Sequence, residues 1–587
     1  MKQSLFSRAL TIFLAAYLAA GAWAFPAAAQ SDVLPEAATG RSAAKGGTAK
    51  AYMVVAANPL AAKAGTDILA AGGSAADAAI AVQLVLNMVE PQSSGIGGGA
   101  FALYWDAKSG KLASYDGREM SPAIAEENRF LTKDGKPMAR MQAIVGGKSV
   151  GVPGVVRLLE MLHQRHGKLP WTKLFEPAIA IADNGFAVSL RLNELLSGDS
   201  AFKSTEPARS YYYEPDGNPK AVGTALKNPA LAAVLRAIAS KGADAFYTGA
   251  IAADIVRTVT VATNNPADIT LDDLKNYKAI ERPPVCGAYR TYKVCGMGPP
   301  SSGGIGVIQT LGILEAFDLR RLGAHSAAAE HLLIEAGRLA FADRAVYLAD
   351  PDKVTVPTNA LIARDYLKQR AALVHPDSRI ATAEAGKVPL KATLDLVPAP
   401  SPELPATSHF SIVDADGNAL AMSTSIEAGF GSRLMVNGFI LNNQLTDFSY
   451  QDVAEQRTVA NRVQGGKRPR SSMSPTLVFN SQGKFEMALG SPLGAAIVGL
   501  VVKTLVGMID WQLTPADAAA APGALFSTGS GVITIERGLE DTKPALEALG
   551  HEVRVGEFAS GIHVIRVTKD GLLGGADPRR EGVVLGK

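Results

Sequence analysis

The stretch from Val397 to Asn418 constrains this chain more than any other. Val397-Pro-Ala-Pro-Ser-Pro-Glu-Leu-Pro405 is proline-rich and nearly uncharged, and it stops at Ala406-Thr407. From Thr407 onward the pattern is strand, tight turn, strand: His409–Val413 and Ala419–Thr424 flank Asp416-Gly-Asn, a strong hairpin signal. A hydroxyl residue that opens a strand in mid-chain suits a nucleophile released by cleavage of its own preceding peptide bond. Once Thr407 is an N-terminus, its α-amine can act as base for its own hydroxyl. Such an amine ordinarily titrates at about 7.7–8.0, so it is partly free base near neutrality.

Around this point the 587-residue chain divides into two halves. The first, about residues 50–395, is expected to be largely helical. Asn58 to Met88 is alanine-rich, with a Gly72-Gly73 break and a Ser74-x-x-Asp77 capping box opening its second helix. Further helices are expected near Val155–His166, Pro177–Asn184, Ala230–Lys241 and Ala327–Leu348, with short strands at Phe101–Trp105 and Leu112–Tyr115. The second half opens with strands, continued at Phe439–Leu441, Thr476–Phe479 and Phe485–Leu489. Helices return at Ala495–Ile509 and Lys543–Leu549, and a final strand pair spans His563–Gly571. Strands between helices on both sides imply a layered α/β architecture. Residues 30–48 and 397–405 read as linkers.

The N-terminus reads as an export signal. Lys2 and Arg8 precede an apolar run from Ala9 to Phe25, and Ala27-Ala28-Ala29 offers a small-residue cleavage site before Gln30. No later apolar run is long enough to cross a bilayer, so a periplasmic or secreted protein is expected. Fifty-eight basic residues face 55 acidic ones, a balance that recruits neither nucleic acid nor an anionic membrane. Cys286 and Cys295, the two cysteines, flank a short hairpin pattern; in an exported protein a disulfide is expected between them, the alternative being a pair of buried thiols.

Gly95-Ile-Gly-Gly-Gly99 follows a helix and opens a strand, the reverse of a dinucleotide loop, so it reads as a tight backbone turn. Pro299-Pro-Ser-Ser-Gly-Gly-Ile-Gly306 reads as a turn with an N-cap, whose amides could also meet an anion. None of the eight histidines forms a His-Glu-x-x-His or Cys-His set, so neither a metal site nor a cofactor is expected. His409 is read as a packing or hydrogen-bonding residue. Lys467-Arg-Pro-Arg470 would pass for a solvated basic loop but for the serines after it. Acyl transfer by Thr407 needs donors for an oxyanion, which the turn at Gly490-Ser-Pro-Leu-Gly494 can supply. A substrate carboxylate calls for a guanidinium, as in Arg118, with Ser471 and Ser472 as hydroxyl donors. A substrate ammonium calls for carboxylates, as in Glu427 and Asp447.

Together these segments resemble the γ-glutamyltransferase (glutathione hydrolase) family of N-terminal-nucleophile hydrolases. The similarity runs from about Ala51 to Arg580. It rests on Glu90-Pro-Gln-Ser-Ser-Gly-Ile-Gly-Gly-Gly99, Gly117-Arg-Glu-Met120, Pro299-Pro-Ser-Ser-Gly-Gly304, Thr407-Ser-His-Phe410, Leu441-Asn-Asn-Gln-Leu-Thr-Asp-Phe448 and Lys467-Arg-Pro-Arg-Ser-Ser-Met-Ser-Pro475. The resemblance implies a four-layer αββα sandwich built by a precursor that cuts itself between Ala406 and Thr407. After signal removal (1–29), residues 30–406 would form a large subunit and 407–587 a small catalytic one, held as a heterodimer. It implies Thr407 as nucleophile and Ser425, where the family usually has Thr, as its hydrogen-bond partner. Arg118, Ser471 and Ser472 would hold the α-carboxylate of a γ-glutamyl group, and Gln444 and Asp447 its α-amine. Gly494 would be the second of two oxyanion-hole glycines. The implied substrates are glutathione and other γ-glutamyl compounds, with water or an amino-acid or peptide amine as acceptor.

Three departures stand out. Leu493 replaces the first oxyanion glycine and resists a positive φ. Glu427 stands where many members have Asn and adds a second carboxylate for the amine. Residues 449–466, a lid in some members, carry Tyr450 alone among aromatics. Two rival readings remain: a glutaryl (cephalosporin) acylase of the same superfamily, whose substrate lacks the α-amine, and a non-catalytic peptide-binding homologue.

Overall fold

A computed structural model describes residues 45–388, 396–399, 406–450, 458–526 and 531–587. The expected signal peptide, the residues just before Ala406 and residues 451–457 of the candidate lid fall outside them.

Fourteen strands build two seven-stranded sheets. In chain order they are β1 (Lys45–Ala49), β2 (Met53–Ala56), β3 (Gly99–Asp106), β4 (Lys111–Gly117), β5 (Ile280–Arg282), β6 (Val285–Tyr289) and β7 (Tyr292–Gly296). Then come β8 (Ala406–Val413), β9 (Ala419–Glu427), β10 (Thr476–Phe479), β11 (Phe485–Gly490), β12 (His563–Thr568), β13 (Gly571–Ala576) and β14 (Val583–Gly586). One sheet runs β14-β2-β8-β9-β3-β4-β5 and the other β1-β13-β12-β11-β10-β7-β6.

Alternate side chains of a strand face opposite layers, and the apolar residues sort accordingly. Phe410, Ile412, Leu420 and Met422 join the core under helices α1 (Pro59–Ala70), α2 (Ala75–Val89) and α3 (Val155–His166). Val413, Ala419 and Ala421 meet Leu477, Ala488 and Ile565 of the facing sheet. On the far side Val478, Met487 and Val564 pack beneath α4 (Gly303–Leu314), α5 (Ala327–Tyr347) and α6 (Ile497–Ile509). Three apolar layers between two sheets and two helix layers make the expected αββα sandwich.

The hairpin that opens the second half is the centre of the first sheet. Gly417 takes φ +81° in its turn. Asp414 Oδ1 accepts from the amides of Asp416 and Asn418, and Oδ2 accepts from the amide of Ala75 at the start of α2. One carboxylate thus closes the turn and docks a helix N-terminus, where negative charge is favoured. The capping box forms as expected. Asp77 Oδ2 accepts from Ser74 N, and also from Lys168 N and Leu169 N.

Several expectations need correction. Residues 45–48, read as linker, lie in β1, which pairs with β13. The last strand pair extends past Gly571 to Ala576, because the turn falls at residues 569–570, and β14 adds a third strand. Lys467–Arg470 is buried: Lys467 Nζ donates to Ala460 O, Arg468 pairs with Asp116 at 2.6 Å, and Arg470 donates to Arg344 O. Ser302 does not cap α4 with its side chain. Its amide and hydroxyl both donate to Ser471 O at 2.7 Å, so those donors position the serine segment instead of an anion. The expected disulfide, by contrast, is present: Cys286 and Cys295 are register partners on β6 and β7 and are bonded through sulfur.

Asp77→Ala strips an acceptor from three backbone amides at a buried junction. It should lower unfolding free energy by about 3 kcal/mol, read as a matching drop in denaturation midpoint.

Candidate active site

The chain runs unbroken through Ala406 and Thr407 at the head of β8, with a bulge between them. Thr407 lies opposite Ser425 on β9. Thr407 Oγ1 donates to Ser425 Oγ at 3.1 Å, and Ser425 Oγ donates its hydrogen to Ala406 O at 2.9 Å while accepting from the amide of Glu427 at 2.8 Å. The single hydroxyl hydrogen of Ser425 is therefore directed at the carbonyl preceding Thr407.

This pair opens into a cleft lined by Arg118, Thr407, Ser425, Glu427, Gln444, Asp447, Ser471, Met473, Gly494 and Ile497. Eight of the ten residues singled out from the sequence converge here. The other two, Leu493 and Ser472, do not line it. Leu493 is buried in the apolar layer beside Ile497. It has φ −102°, and the positive φ falls on Gly494, at +50°. The strain expected of Leu at this turn is absent because glycine occupies the position that needs it.

Arg118 follows β4. Its Nη2 donates to Asp447 Oδ2 at 2.6 Å and to Arg470 O, and its Nε donates to Pro469 O. Gln444 Nε2 also donates to Asp447 Oδ2. The carboxylate and ammonium of an α-amino acid share one carbon, so their binding groups must be adjacent, and the Arg118–Asp447 pair meets that requirement. Burial, then repulsion from Glu427, pushes the Asp447 carboxyl up to about 7 against the pull of Arg118. Burial likewise raises Glu119, beside Arg118, to about 8. Glu427 has φ +81°, a strained conformation for a residue with a Cβ. Asn443 Nδ2 at 2.5 Å and Arg140 Nη2 at 3.4 Å hold its carboxylate. His409 is buried between Ser423 and Ser411, and burial holds its pKa well below 6.5, so it stays neutral. Tyr450 stacks on Phe130, and residues 451–457 of the candidate lid fall outside the described residues.

Sequence reasoning missed Asn443, Arg140 and Arg580. Arg580 Nη1 donates to Thr407 O at 3.1 Å from the far end of the chain. Asn443 lies within the Leu441–Phe448 motif, which was the signal that could have found it. Arg140 and Arg580 carry no local signal, being separated from their partners by 287 and 173 positions.

The glycine-rich turn has a role that spacing alone did not reveal. None of Gly95, Gly97, Gly98 and Gly99 has a positive φ. Instead a Cβ at Gly98 would collide with Ser425 O and one at Gly97 with Ile440 O. These glycines let the turn lie directly against the strand that carries Ser425.

A hydroxyl heading a central strand of an αββα sandwich, beside a pocket for charged groups, defines an acyl-transfer enzyme of the N-terminal-nucleophile class. Comparison with known proteins narrows the class. The family described as Gamma-glutamyltranspeptidase matches residues 61–587. The glutathione hydrolase proenzyme of Escherichia coli is 37% identical over 90% of this chain and 91% of its own length. Among solved structures, a cephalosporin acylase from Bacillus halodurans superposes with TM-score 0.80 at 26% identity, covering 94% of this chain and 99% of its own. A Helicobacter pylori gamma-glutamyltranspeptidase chain gives TM-score 0.54 at 35% identity, covering 56% of this chain and 93% of its own. This chain belongs to the gamma-glutamyltranspeptidase family.

Gly98→Ala should push Ser425 out of line without disturbing far-UV circular dichroism. A displacement near 1 Å is worth about 100-fold in rate, so activity per folded molecule should fall by that order.

Proposed function

We propose that the chain cuts itself before Thr407 and then acts as a γ-glutamyltransferase and glutathione hydrolase. In the first step Thr407 Oγ1 adds to the carbonyl carbon of Ala406, whose oxygen already accepts from Ser425. The C–N bond breaks, the nitrogen takes the hydroxyl proton, and water hydrolyses the resulting ester. A carboxylate is left on Ala406 and a free α-amine on Thr407.

In turnover that amine removes the hydroxyl proton. Thr407 Oγ1 attacks the γ-carbonyl of the donor, and the backbone amides of Gly494 and Leu493 serve as the donors to the oxyanion. The proton passes to the leaving amine. The γ-glutamyl ester then goes to water or to an acceptor amine of an amino acid or peptide. Arg118 and Ser471 take the α-carboxylate, with Ser472 as a buried support. Asp447, Gln444 and Glu427 take the α-ammonium, and Arg580 steadies the Thr407 carbonyl. No step uses a cofactor.

The observation that carries this reading is the buried Arg118–Asp447 pair beside Thr407, with Glu427 as a second carboxylate. A glutaryl donor would bring no ammonium to those carboxylates, and a site built for a polar group rejects analogues that lack it. That weighs against the acylase reading. The Thr407–Ser425 geometry weighs against a merely binding homologue.

Cleavage would leave residues 30–406 and 407–587 as a heterodimer. In the first sheet β8 and β9 lie between β2 and β3, and in the second β10 to β13 lie between β1 and β7. Neither piece can leave without tearing both sheets. Export is supported by the N-terminal pattern, and no described helix is long and apolar enough to cross a membrane.

Wild-type protein should run as two bands split about two to one in mass, and Thr407→Ala as one band. A wild-type small fragment beginning elsewhere than Thr407, by mass spectrometry, would refute the assignment. γ-Glutamyl-p-nitroanilide should turn over far faster than glutaryl-p-nitroanilide; equal rates would remove the ammonium role from Asp447.

The pH dependence has a definite sign. The Asp447 carboxyl, raised to about 7, is partly protonated below neutrality. A substrate ammonium favours its ionised form, so binding releases a proton below about pH 7. KM should therefore rise about tenfold per pH unit below 7 and level above it. Asp447→Asn should raise KM at pH 8 and abolish that slope, as measured by steady-state kinetics across pH 5–9.

A further inference from the structure

A cluster of ligand-type side chains lies away from the cleft, on the outer helix layer. His331 and Glu335 are one turn apart on α5, so they leave the same face of that helix. His551 follows helix α7 (Lys543–Ala548) and is brought against that face from 220 positions away. His331 Nδ1 and His551 Nε2 stand 2.7 Å apart. One ligand atom from each of the three residues falls within 4.8 Å of the others, and all three residues are buried. The expectation of no metal-ligating set rested on local spacing, which cannot register a partner this distant.

The groups around the cluster are arranged as supports for ligands. His331 Nε2 lies 2.8 Å from His375 O. A carbonyl only accepts, so Nε2 carries the hydrogen and Nδ1 presents its lone pair toward His551. A metal-bound imidazole is usually oriented by that same kind of second hydrogen bond. The Glu335 carboxylate is fixed by Arg338 Nη1 at 2.6 Å and by the amide of Ile380 at 2.7 Å. None of the three residues lines the catalytic cleft.

We propose that His331, Glu335 and His551 bind one divalent transition-metal ion of the zinc class, which ties α5 to the C-terminal region of the chain. Two nitrogens and one carboxylate oxygen suit Zn²⁺ or Co²⁺ rather than Mg²⁺ or Ca²⁺, which prefer all-oxygen shells. Without metal, His551 Nε2–H donates to His331 Nδ1. Metal entry moves that hydrogen to His551 Nδ1, a tautomer change with no net loss of a proton, and exposes both lone pairs. The two nitrogens must part to about 3.3 Å to share an ion at about 2.0–2.1 Å in tetrahedral geometry, a small side-chain shift. Water fills the fourth position. The guanidinium of Arg338 opposes a cation, so a moderate affinity is expected. The tie between subunits rests on the proposed scission, because His331 and Glu335 precede Thr407 and His551 follows it; ion binding does not.

The test uses the full chain, stripped with a chelator and titrated with Co²⁺. One equivalent should give the visible absorption of tetrahedral Co²⁺, one equivalent of Zn²⁺ should bleach it, and the thermal midpoint should rise. His551→Gln keeps a hydrogen-bonding partner for His331 but should weaken binding by about 100-fold, at the upper end of what a mere supporting residue costs. Glu335→Gln should act in the same direction. Failure of wild type to take up Co²⁺ stoichiometrically would overturn the site without reference to any variant. Unchanged affinity in both His551→Gln and His331→Gln would do the same. Thr407→Ala should bind Co²⁺ as wild type does, cut or uncut. In cut protein, Zn²⁺ should raise the urea concentration that separates the two pieces, and no change would overturn the tie alone.

Discussion

The hydrogen bond between Thr407 and Ser425 is the contact on which the rest of this site depends. It exists because β8 and β9 pair antiparallel with Thr407 opposite Ser425, and the register is fixed by the Asp414-to-Asn418 turn. A slip of one residue would turn Phe410 and Ile412 from the helix-facing core toward the other sheet, so the apolar layers enforce the alignment. Chemistry at the strand head is thus held in place by packing at its middle. The glycine turn serves the same end, since its missing side chains admit Gly97 and Gly98 against the backbone of Ile440 and Ser425.

The cleft concentrates charge that burial makes costly. Arg118, Glu119, Glu427 and Asp447 are all sequestered from solvent, and the carboxyls of Glu119 and Asp447 respond by holding protons that water would take. Removing one partner of such an arrangement leaves a buried charge uncompensated. A zwitterionic ligand of the kind proposed above would supply further opposite charges, making a pocket that is unfavourable when empty selective when filled. Behind the strand a second buried set does structural work: Glu90 accepts from Ser408 Oγ at 2.6 Å, and Arg580 donates to the Thr407 carbonyl.

The architecture also bears on a break in the chain. Strands from before and after Thr407 interleave in both sheets, so a break before Thr407 would detach only the Ala406–Glu427 pairing and leave the other ladders intact. In the cleaved form proposed above, cooperation between the two parts would come from shared apolar layers rather than from the peptide bond.

Local features were legible in the amino-acid order. The Asp416-Gly-Asn hairpin, the Ser74/Asp77 capping box, the long helix from Ala327 and the Cys286–Cys295 hairpin all arise from interactions within a few residues, where spacing encodes geometry. The charged nature of the pocket could be read as well, because its motifs keep Arg118, Gln444 and Asp447 in recognisable strings. Tertiary structure alone decided that Lys467–Arg470 is buried, that Gly494 and not Leu493 takes the positive φ, and that Arg140 and Arg580 reach Glu427 and Thr407. The same holds for His331 and His551. The contacts of Arg468, Arg470, Arg140, Arg580 and His331 join segments more than a hundred positions apart, and no local pattern specifies which distant backbone the shared cores will bring alongside.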